Sequence, residues 1–305
     1  MYFCTGMNNV KAKPFVKWAG GKTKLLEEVR KSLPDDLHKC EHLTYVESFV
    51  GGGAVLFWIL QEYPNISRAI INDINEELMC TYRVIKQNVY QLIAELECLQ
   101  EQYLSRNAEE RKEFFLEKRK VFNSKNKSDV ETASLFVFLN RTCFNGLYRV
   151  NSKGEFNVPH GKYINPKICD RDNLLAVSKL LQRVEILCGD FATTEKFAGP
   201  GVIFYLDPPY KPLSETSSFT SYSSYGFDDA EQIRLRDFCS RIAREGAIFV
   251  ESNSDPKEEN TGESFFEQIY YQFRIKRVFA PRLINANPQS RGFVSEIMIS
   301  NFVNA

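Results

Sequence analysis

The tetrad Asp207-Pro208-Pro209-Tyr210 places a carboxylate, two rings without an amide hydrogen and an aromatic ring directly after the apolar run 201–206. Proline has a fixed φ and no N–H donor, so we expect a stiff turn in which both proline carbonyls stay free as acceptors. Asp207 is expected at the carboxyl edge of a sheet, the usual ligand face of α/β folds. A carboxylate and a rigid carbonyl can accept two hydrogens from one amino group while Tyr210 stacks on the ring that bears it. The tetrad thus predicts a site for an amine on a planar heterocycle, with a proline-terminated strand and a buried tyrosine as the alternative.

A second candidate site is the glycine turn 51–53, which lies between a strand-like segment and a helix-like one. Such a turn lets the backbone approach a ligand and aims helix N–H groups at it. Gly51 and Gly53 fit the start of a dinucleotide fingerprint, but Leu56 occupies its third glycine position. Asp73 follows Gly53 by 20 residues, at the end of the next predicted strand, where a carboxylate can accept bonds from ribose hydroxyls. A plain tight turn and a surface aspartate are the alternative.

The stretch AGGKTK resembles the end of a phosphate-binding loop. The full motif needs a glycine five residues before Gly21, and that position holds Val16. An ATPase is therefore not predicted.

The pattern of apolar residues predicts an α/β fold with an inserted middle segment. Strand-like and helix-like segments alternate over 44–88 and again from 184 onward, which is typical of a parallel sheet with crossover helices. Residues 89–140 are expected to be helical, and the turn formers 151–154 predict a β-hairpin within 145–163. We therefore predict one domain from 1–88 and 185–305, interrupted by a second domain, 89–184.

Composition gives no sign of a strongly charged partner, because Lys+Arg and Asp+Glu are both 39. A nucleic acid would have to be bound by a local patch. The eight cysteines include no C-x-x-C pair, which argues against a structural zinc site and favours reduced, buried thiols. The longest clear apolar run, 54–60, is too short to span a bilayer, so we expect a soluble cytoplasmic protein without a membrane partner.

Six segments, in order, resemble the Dam-type DNA adenine-N6 methyltransferases of the D12 class, alpha group. They are PFVKWAGGK (14–22), VESFVGGGAVLF (46–57), IINDIN (70–75), NGLYRVNSKGEFNVPHGKY (145–163), DPPYKPLSETSSFTSY (207–222) and ESNSDP (251–256). The resemblance extends over about 14–302 and is greatest to the GATC modification enzymes of Dpn-type restriction systems. It implies a Rossmann-like, S-adenosylmethionine-dependent methyltransferase fold whose mainly helical insertion, with its hairpin, reads DNA.

The resemblance also implies a cofactor site. S-adenosylmethionine is the methyl donor in this family, and no metal is needed. The positions matching its pocket are Trp18, Lys22, Gly51, Gly53, Asp73, Asp190, Phe191 and Asp207. Asp190 and Phe191 are expected at the end of a strand carrying CGDF, beside the adenine of the cofactor. Trp18 as a core residue is the alternative.

In the insertion the resemblance implies contacts with duplex DNA. Arg149 matches an arginine that reads guanine, whose O6 and N7 a guanidinium can bond together. Leu147 and Pro159 match residues that touch thymine, and Phe144 matches the aromatic residue that props the duplex open. Further matches are Asn145, Tyr163 and Lys17, the last of which reads an outer guanine. Ordinary packing or surface charge is the alternative for each, and the basic stretches 106–127 and 274–291 could hold phosphates.

We therefore expect Asp207 and the Pro208 carbonyl to hold the N6 amine of a flipped adenine in GATC while Tyr210 stacks on it. Neither a metal nor a covalent enzyme intermediate is needed. The Dpn-type resemblance implies a restriction endonuclease for the same site as a partner. Two alternatives stay open: the same chemistry on cytosine N4, RNA adenine or a protein amide, and an inactive DNA-binding regulator.

Overall fold

The computed structural model describes residues 10–22, 25–211, 227–255, 265–281 and 293–302. Parts of four sequence features lie outside these residues. They are 23–24 of AGGKTK, 212–222 of the family string after the tetrad, Pro256 of ESNSDP and 282–291 of the basic stretch.

The chain forms two compact units. The first unit comprises 1–21, 51–64 and 75–188, and the second comprises 22–50, 65–74 and 189–305. These units divide the chain by compactness, whereas the predicted domains divide it by function. The domain bounds 1–88, 89–184 and 185–305 stay a prediction.

The second unit contains six of the seven strands that the described residues form. They are β1 (Leu43–Glu47), β2 (Ile66–Ile71), β4 (Val202–Leu206), β5 (Ile248–Ser254), β6 (Arg274–Pro281) and β7 (Phe293–Ser300). Their order in the sheet is β2-β1-β4-β5-β7-β6. The first four are parallel, and β7 is antiparallel to both β5 and β6. The carboxyl ends of four parallel strands therefore meet along one edge, as predicted for an α/β fold.

The central strands of this unit are buried on both faces, because parallel strands in α/β folds carry apolar side chains on both sides. Tyr45, Val46, Phe204 and Leu206 are fully buried. The helices of the unit are α1 (Leu26–Arg30), α8 (Asp229–Arg244) and α9 (Phe265–Ile269). Asp228 caps α8 by accepting the backbone N–H of Glu231, so the carboxylate fixes where the helix begins.

The first unit is mainly helical. Its elements are α2 (Ala54–Glu62), α3 (Glu76–Gln87), α4 (Val89–Leu104), α5 (Ala108–Phe122), α6 (Asp129–Thr142), α7 (Arg171–Leu181) and the short strand β3 (Val184–Ile186). Side-chain caps set three helix starts: Asn75 for α3, Asn107 for α5 and Ser128 for α6. The predicted helices over 89–140 are thus three separate helices.

The predicted hairpin follows α6 and is held by two isolated antiparallel bridges rather than by a regular ladder. Cys143 pairs with His160, and Val150 pairs with Phe156. The predicted turn forms where expected, since Asn151 accepts the backbone N–H of Gly154. Between the bridges the chain is irregular, which leaves many of its side chains pointing to solvent.

Seven of the cysteines lie in the described part, and all seven are free thiols. Four are buried, but Cys40, Cys98 and Cys188 are exposed, so the expectation of buried thiols is wrong for these three. None of the described helices is long and apolar enough to cross a membrane.

Candidate active site and nucleic-acid interface

Asp207 follows β4 directly, and two side chains of the second unit hold one of its oxygens. The Lys22 ammonium lies 3.0 Å from Oδ1, and the Ser252 hydroxyl donates to the same oxygen at 2.8 Å. No described residue donates to Oδ2. Burial raises the pKa of Asp207, while the Lys22 charge and the two hydrogen bonds act in the opposite direction. The carboxylate is thus fixed through one oxygen and can accept through the other.

The Tyr210 hydroxyl is held between a cation and an anion of the same unit. Lys22, only 4% exposed, donates to the hydroxyl oxygen, and the hydroxyl donates to Glu296 at 2.7 Å. Glu296 also lies 3.8 Å from the Lys22 ammonium. Lys22, predicted as a cofactor contact, therefore contacts the tetrad itself, and Glu296 joins it from β7. This network fixes the tyrosine ring from its hydroxyl end. The Lys22 ammonium also lies over the ring, 4.2 Å from its centroid, so at most one face is left for stacking.

The expectation that both proline carbonyls stay free is wrong for Pro209. Its oxygen accepts from Gln232 Nε2 of α8 at 3.1 Å. The Pro208 carbonyl has no donor among the residues that the structure describes. Asp207 Oδ2 and the Pro208 oxygen are thus neighbouring acceptors of the tetrad without a described partner.

Within the second unit, the loops after β1 and β2 are tied to Gly189 by one fully buried amide. Asn72 Nδ2 donates to the carbonyls of Ser48 and Gly189, at 3.1 and 2.9 Å. The Gly189 N–H in turn donates to the Asp73 carbonyl at 3.0 Å. Asp73, which the sequence predicted at a strand end, follows β2 by two residues and is half-buried.

Asp190 and Phe191 do not end a strand, because β3 stops at Ile186. Asp190 instead caps the 3-10 helix Phe191–Phe197, and its two oxygens accept from Arg234 at 2.9 and 2.6 Å. The Arg234 hydrogen bonds hold the pKa of Asp190 below its usual range. Phe191 packs with its ring centroid 5.3 Å from that of Phe49 and 4.1 Å from the Arg234 guanidinium. The predicted contact with adenine stays a prediction.

In the first unit, Trp18 lies against the glycine turn. Gly51 has φ +47°, and a Cβ there would stand 2.7 Å from Trp18 Cδ1. Gly53 has φ +76°, and its Cβ would stand 2.5 Å from Tyr82 Oη, a hydroxyl that bonds the Gly51 carbonyl at 3.0 Å. The other side of Trp18 stacks on Tyr148, 5.8 Å away between centroids. Glycine is therefore required at both positions, by backbone conformation and by space.

Phe144 and Asn145 form the tip of a short 3-10 turn after α6. The Phe144 ring is 51% exposed, although its N–H is anchored on the Pro159 carbonyl at 2.8 Å. Asn145 has φ +55°, a left-handed conformation that is uncommon for residues other than glycine. A large exposed aromatic ring on an anchored turn is what an aromatic wedge needs.

Arg149 is exposed and is oriented by one neighbour, since its Nε donates to Asn157 Oδ1 at 2.7 Å. No described residue bonds its two terminal nitrogens. This leaves the fork of the guanidinium available for a bidentate contact. Leu147 is half-buried close by, and its carbonyl accepts from the Cys143 thiol.

Lys17 and Tyr163 lie together in the first unit. The Lys17 ammonium is 4.2 Å from the centroid of the Tyr163 ring. Asn140 bonds both the N–H and the carbonyl of Lys17, at 2.8 Å each, and also the Gly146 carbonyl at 3.0 Å. One buried amide therefore fixes two separate parts of the predicted DNA-reading set.

The basic stretch 106–127 is partly used within the protein. Arg111 donates to four backbone carbonyls, and Arg119 donates to the Val158 carbonyl. These two arginines stabilise the unit, so phosphate contacts would depend on the remaining cations of the stretch.

A family model decides the identity of the chain. Residues 18–282 match the D12 class of N6 adenine-specific DNA methyltransferases. The chain belongs to this family. It is therefore a DNA adenine-N6 methyltransferase, and the predicted Rossmann-like methyltransferase fold is confirmed.

Three relatives illustrate how far the similarity extends. The type II methyltransferase M.MjaIII of Methanocaldococcus jannaschii is 48% identical over 96% of this chain and all of its own length. The type II methyltransferase M1.LlaDCHI of Lactococcus lactis subsp. cremoris is 38% identical over 97% of this chain and 98% of its own. The DNA adenine methylase of Haemophilus influenzae is 35% identical over 95% of this chain and 93% of its own.

The family implies S-adenosylmethionine as methyl donor, and the second unit suits a cationic donor. Lys22, Asp207 and Glu296 together carry one positive and two negative groups, a net negative cluster when both acids are ionised. Asp73 could accept from ribose hydroxyls, and Phe49 and Phe191 offer apolar rings. No group of acidic, histidine or cysteine side chains in the described part is arranged to hold a metal.

Sequence reasoning missed Ser252, Gln232 and Glu296. Ser252 lies within ESNSDP, a segment that matched the family but received no role. Gln232 and Glu296 have no motif signal, because they reach the tetrad from a helix and from the antiparallel strand β7. Only the three-dimensional pairing of these elements with β4 and β5 reveals them.

Proposed function

We propose that this chain methylates N6 of the adenine in GATC within duplex DNA, after that adenine has been flipped out of the helix. The observation that carries the proposal is the pair of acceptors on the tetrad. Asp207 Oδ2 and the Pro208 oxygen have no described donor, whereas Lys22 and Ser252 hold the other oxygen of the carboxylate. An exocyclic amine has two hydrogens to donate to such a pair.

The residues of the tetrad prepare the amine for reaction. The N6 lone pair is delocalised into the purine ring and is weakly nucleophilic. When Asp207 and the Pro208 carbonyl accept both hydrogens, they favour a pyramidal nitrogen whose lone pair is no longer conjugated with the purine ring. Lys22 and Ser252 keep the acceptors fixed beforehand, so little reorganisation is needed during the reaction. Tyr210, held by Glu296, stacks on the flipped base.

S-adenosylmethionine, when bound, supplies an electrophilic methyl group on a sulfonium. Asp73, Phe191 and the turn at Gly51 and Gly53 are the residues proposed to hold it, together with Trp18 and Lys22. The amine must lose a proton when it gains a methyl group. Asp207, whose pKa is raised by burial, is placed to accept that proton.

Specificity for GATC is assigned to the segment 144–163 and to Lys17. Arg149 would bond the O6 and N7 of a guanine, Leu147 and Pro159 would contact thymine, and Phe144 would fill the gap left by the flipped base. Asn145, Tyr163 and Lys17 would complete the contacts. The names of the two type II relatives support a further proposal, that a restriction endonuclease for the same site accompanies this enzyme.

The test is methyl transfer from labelled S-adenosylmethionine to two duplexes that differ only in having GATC or GTAC, with nucleoside analysis of the product. We expect N6-methyladenine in the GATC duplex alone. Label in both duplexes would contradict the thymine contacts proposed for Leu147 and Pro159, because GTAC keeps both guanines of GATC and exchanges only adenine and thymine. Labelled methyl on cytosine N4 would contradict the proposal that adenine N6 receives the methyl group. Replacing the target adenine with 2-aminopurine tests flipping, because an unstacked 2-aminopurine fluoresces more strongly than a stacked one.

A further inference from the structure

The backbone of the tetrad has few means of holding itself in place. Pro208 and Pro209 cannot donate backbone hydrogen bonds. The segment must therefore be anchored through its carbonyls and through the residues that follow it. Three side chains of the second unit, Gln232, Asn253 and Ser254, supply these anchors, and we call them the loop clamp.

Gln232 and Asn253 act in series. Gln232 Nε2 donates to the Pro209 carbonyl at 3.1 Å, and Gln232 Oε1 accepts from Asn253 Nδ2 at 3.1 Å. Asn253 Oδ1 accepts the Lys211 N–H at 3.4 Å. Two linked amides thus bond the backbone just before and just after Tyr210.

Ser254 completes the loop clamp, because its hydroxyl donates to the Lys211 carbonyl at 2.7 Å. Gln232 and Asn253 are fully buried, and Ser254 is 5% exposed. Buried polar side chains are costly unless they are hydrogen-bonded, and here their partners are the backbone of the reactive loop. The same strand, β5, also supplies Ser252, which holds Asp207.

We infer that the loop clamp is a set of positioning residues that fixes the backbone of Pro209 and Lys211 and thereby aims Tyr210 and the Pro208 carbonyl at the substrate amine. This assigns a role to Gln232 and to Asn253 and Ser254 of ESNSDP. Its catalytic consequence rests on the proposed function. The contacts that define the loop clamp do not depend on the proposed function, and all of them lie within the second unit.

The test uses the full chain with Gln232→Leu, which keeps the bulk of the side chain and removes both of its hydrogen bonds. Asn301→Leu is the matched control. Asn301 is also an amide that bonds one backbone carbonyl and one N–H, those of Ala247 and Phe249, but at the opposite end of β5. Each change removes the two hydrogen bonds of one side-chain amide, one of them to a backbone carbonyl, and only Gln232→Leu affects the loop.

Two readouts separate positioning from general stability. In hydrogen exchange, Gln232→Leu should speed exchange of the Tyr210 and Lys211 amides, and Asn301→Leu should speed it near 247–249 instead. In steady-state kinetics on the GATC duplex, the enzyme concentration is taken as the concentration of sites that bind S-adenosylmethionine. On that basis Gln232→Leu should lower kcat about tenfold or more, while its KM for DNA stays within about twofold of the wild-type value. Asn301→Leu should leave kcat per site within about twofold. If Gln232→Leu does not fold, Ser254→Ala is used instead, and we expect a smaller loss of kcat from it.

Faster exchange of the Tyr210 and Lys211 amides with an unchanged kcat would overturn the catalytic role of the loop clamp. Unchanged exchange there, or an equal loss of kcat in Asn301→Leu, would overturn the inference as a whole. A wild-type chain that does not methylate GATC would contradict the proposed function instead. Hydrogen exchange would still decide whether the loop clamp holds the tetrad.

Discussion

The surroundings of the tetrad and the DNA-reading segment 144–163 differ in how their side chains are held. Lys22, Gln232 and Ser252 beside the tetrad are buried and bonded within the protein. Phe144 and Arg149 are exposed, and Arg149 has a single described partner through Nε. The chemistry is thus prepared in advance by the fold, while base reading depends on groups that DNA itself must order.

The difference predicts that changes at the tetrad alter rate, and that changes in the segment 144–163 alter the choice of site. The largest effect should come from Asp207→Ala, which removes the acceptor that no other described residue replaces. We expect kcat on GATC to fall by about a thousandfold or more, a size typical of losing a preorganised polar group in an active site.

Asp207→Ala should leave the protein folded, because burial disfavours the charged carboxylate and Glu296 still neutralises Lys22. Thermal unfolding serves as the control. A variant that retains more than a tenth of wild-type kcat would contradict the assignment of Asp207 as the amine acceptor.

Glu251 tests how burial near the tetrad changes the pKa of a carboxyl group, which the exposed segment 144–163 does not allow. This fully buried carboxyl accepts from Tyr270 and Asn253, and burial raises its pKa to about 7 from the usual 4.5. A raised folded-state pKa gives stability that is complete below about pH 4.5 and is lost as the pH rises through 7.

The free energy of unfolding of the wild type, relative to Glu251→Gln, should therefore fall by about 2 to 3 kcal/mol between pH 5 and pH 8. Urea unfolding at several pH values measures this difference. Glu251→Gln will also change the free energy of unfolding by an amount that does not depend on pH. The test is therefore how the difference between the wild type and Glu251→Gln changes with pH. Parallel curves would show that Glu251 does not titrate in this range.

The sequence predicted the elements around the active site better than their contacts. The alternation of strands and helices predicted over 44–88 agrees with β1, α2, β2 and α3, because the period of apolar residues is a local signal. Pro209 shows what local signals lack: its carbonyl was expected to be free, yet Gln232 reaches it from 23 residues along the chain. Asp190 was placed on a strand because CGDF follows an apolar run, but its carboxylate caps a helix and pairs with Arg234.

In the DNA-reading segment, Arg149→Ala should relax specificity without slowing folding or lowering stability. A bidentate arginine–guanine pair contributes about 1–3 kcal/mol of discrimination, or about 5- to 150-fold in the ratio of kcat/KM values. The measurement compares GATC duplexes in which one guanine at a time is replaced by 7-deazaguanine, which lacks N7. The wild type should discriminate against one of these replacements, and Arg149→Ala should not.

Lys153→Ala is the control for charge, because Lys153 is an exposed cation in the turn of the same segment. It should weaken binding to all duplexes alike, as expected for a loss of general attraction to phosphates. Equal sensitivity to 7-deazaguanine in Arg149→Ala and the wild type would remove Arg149 from the base contacts.

The smallest effects should come from the side chains that orient Asp207 and Arg149. Ser252→Ala removes a buried hydroxyl, and Asn157→Ala removes a half-buried amide whose bond to Arg149 is exposed to water, each within 2.8 Å of the group that it orients. A hydrogen bond to a charged group is stronger in a buried site than where water competes for it. We therefore expect kcat to fall about tenfold in Ser252→Ala, and guanine discrimination to fall only about twofold in Asn157→Ala.

Ser252 also accepts from the buried Tyr205 hydroxyl at 3.1 Å, so Ser252→Ala could act by leaving that hydroxyl without a partner. Tyr205→Phe removes the hydroxyl and keeps the bond from Ser252 to Asp207, and it should retain kcat within about twofold. If Tyr205→Phe is as slow as Ser252→Ala, packing around β4 rather than the orientation of Asp207 limits the rate. If Asn157→Ala loses as much discrimination as Arg149→Ala, the exposed segment is as preorganised as the tetrad, and the contrast between the two regions is wrong.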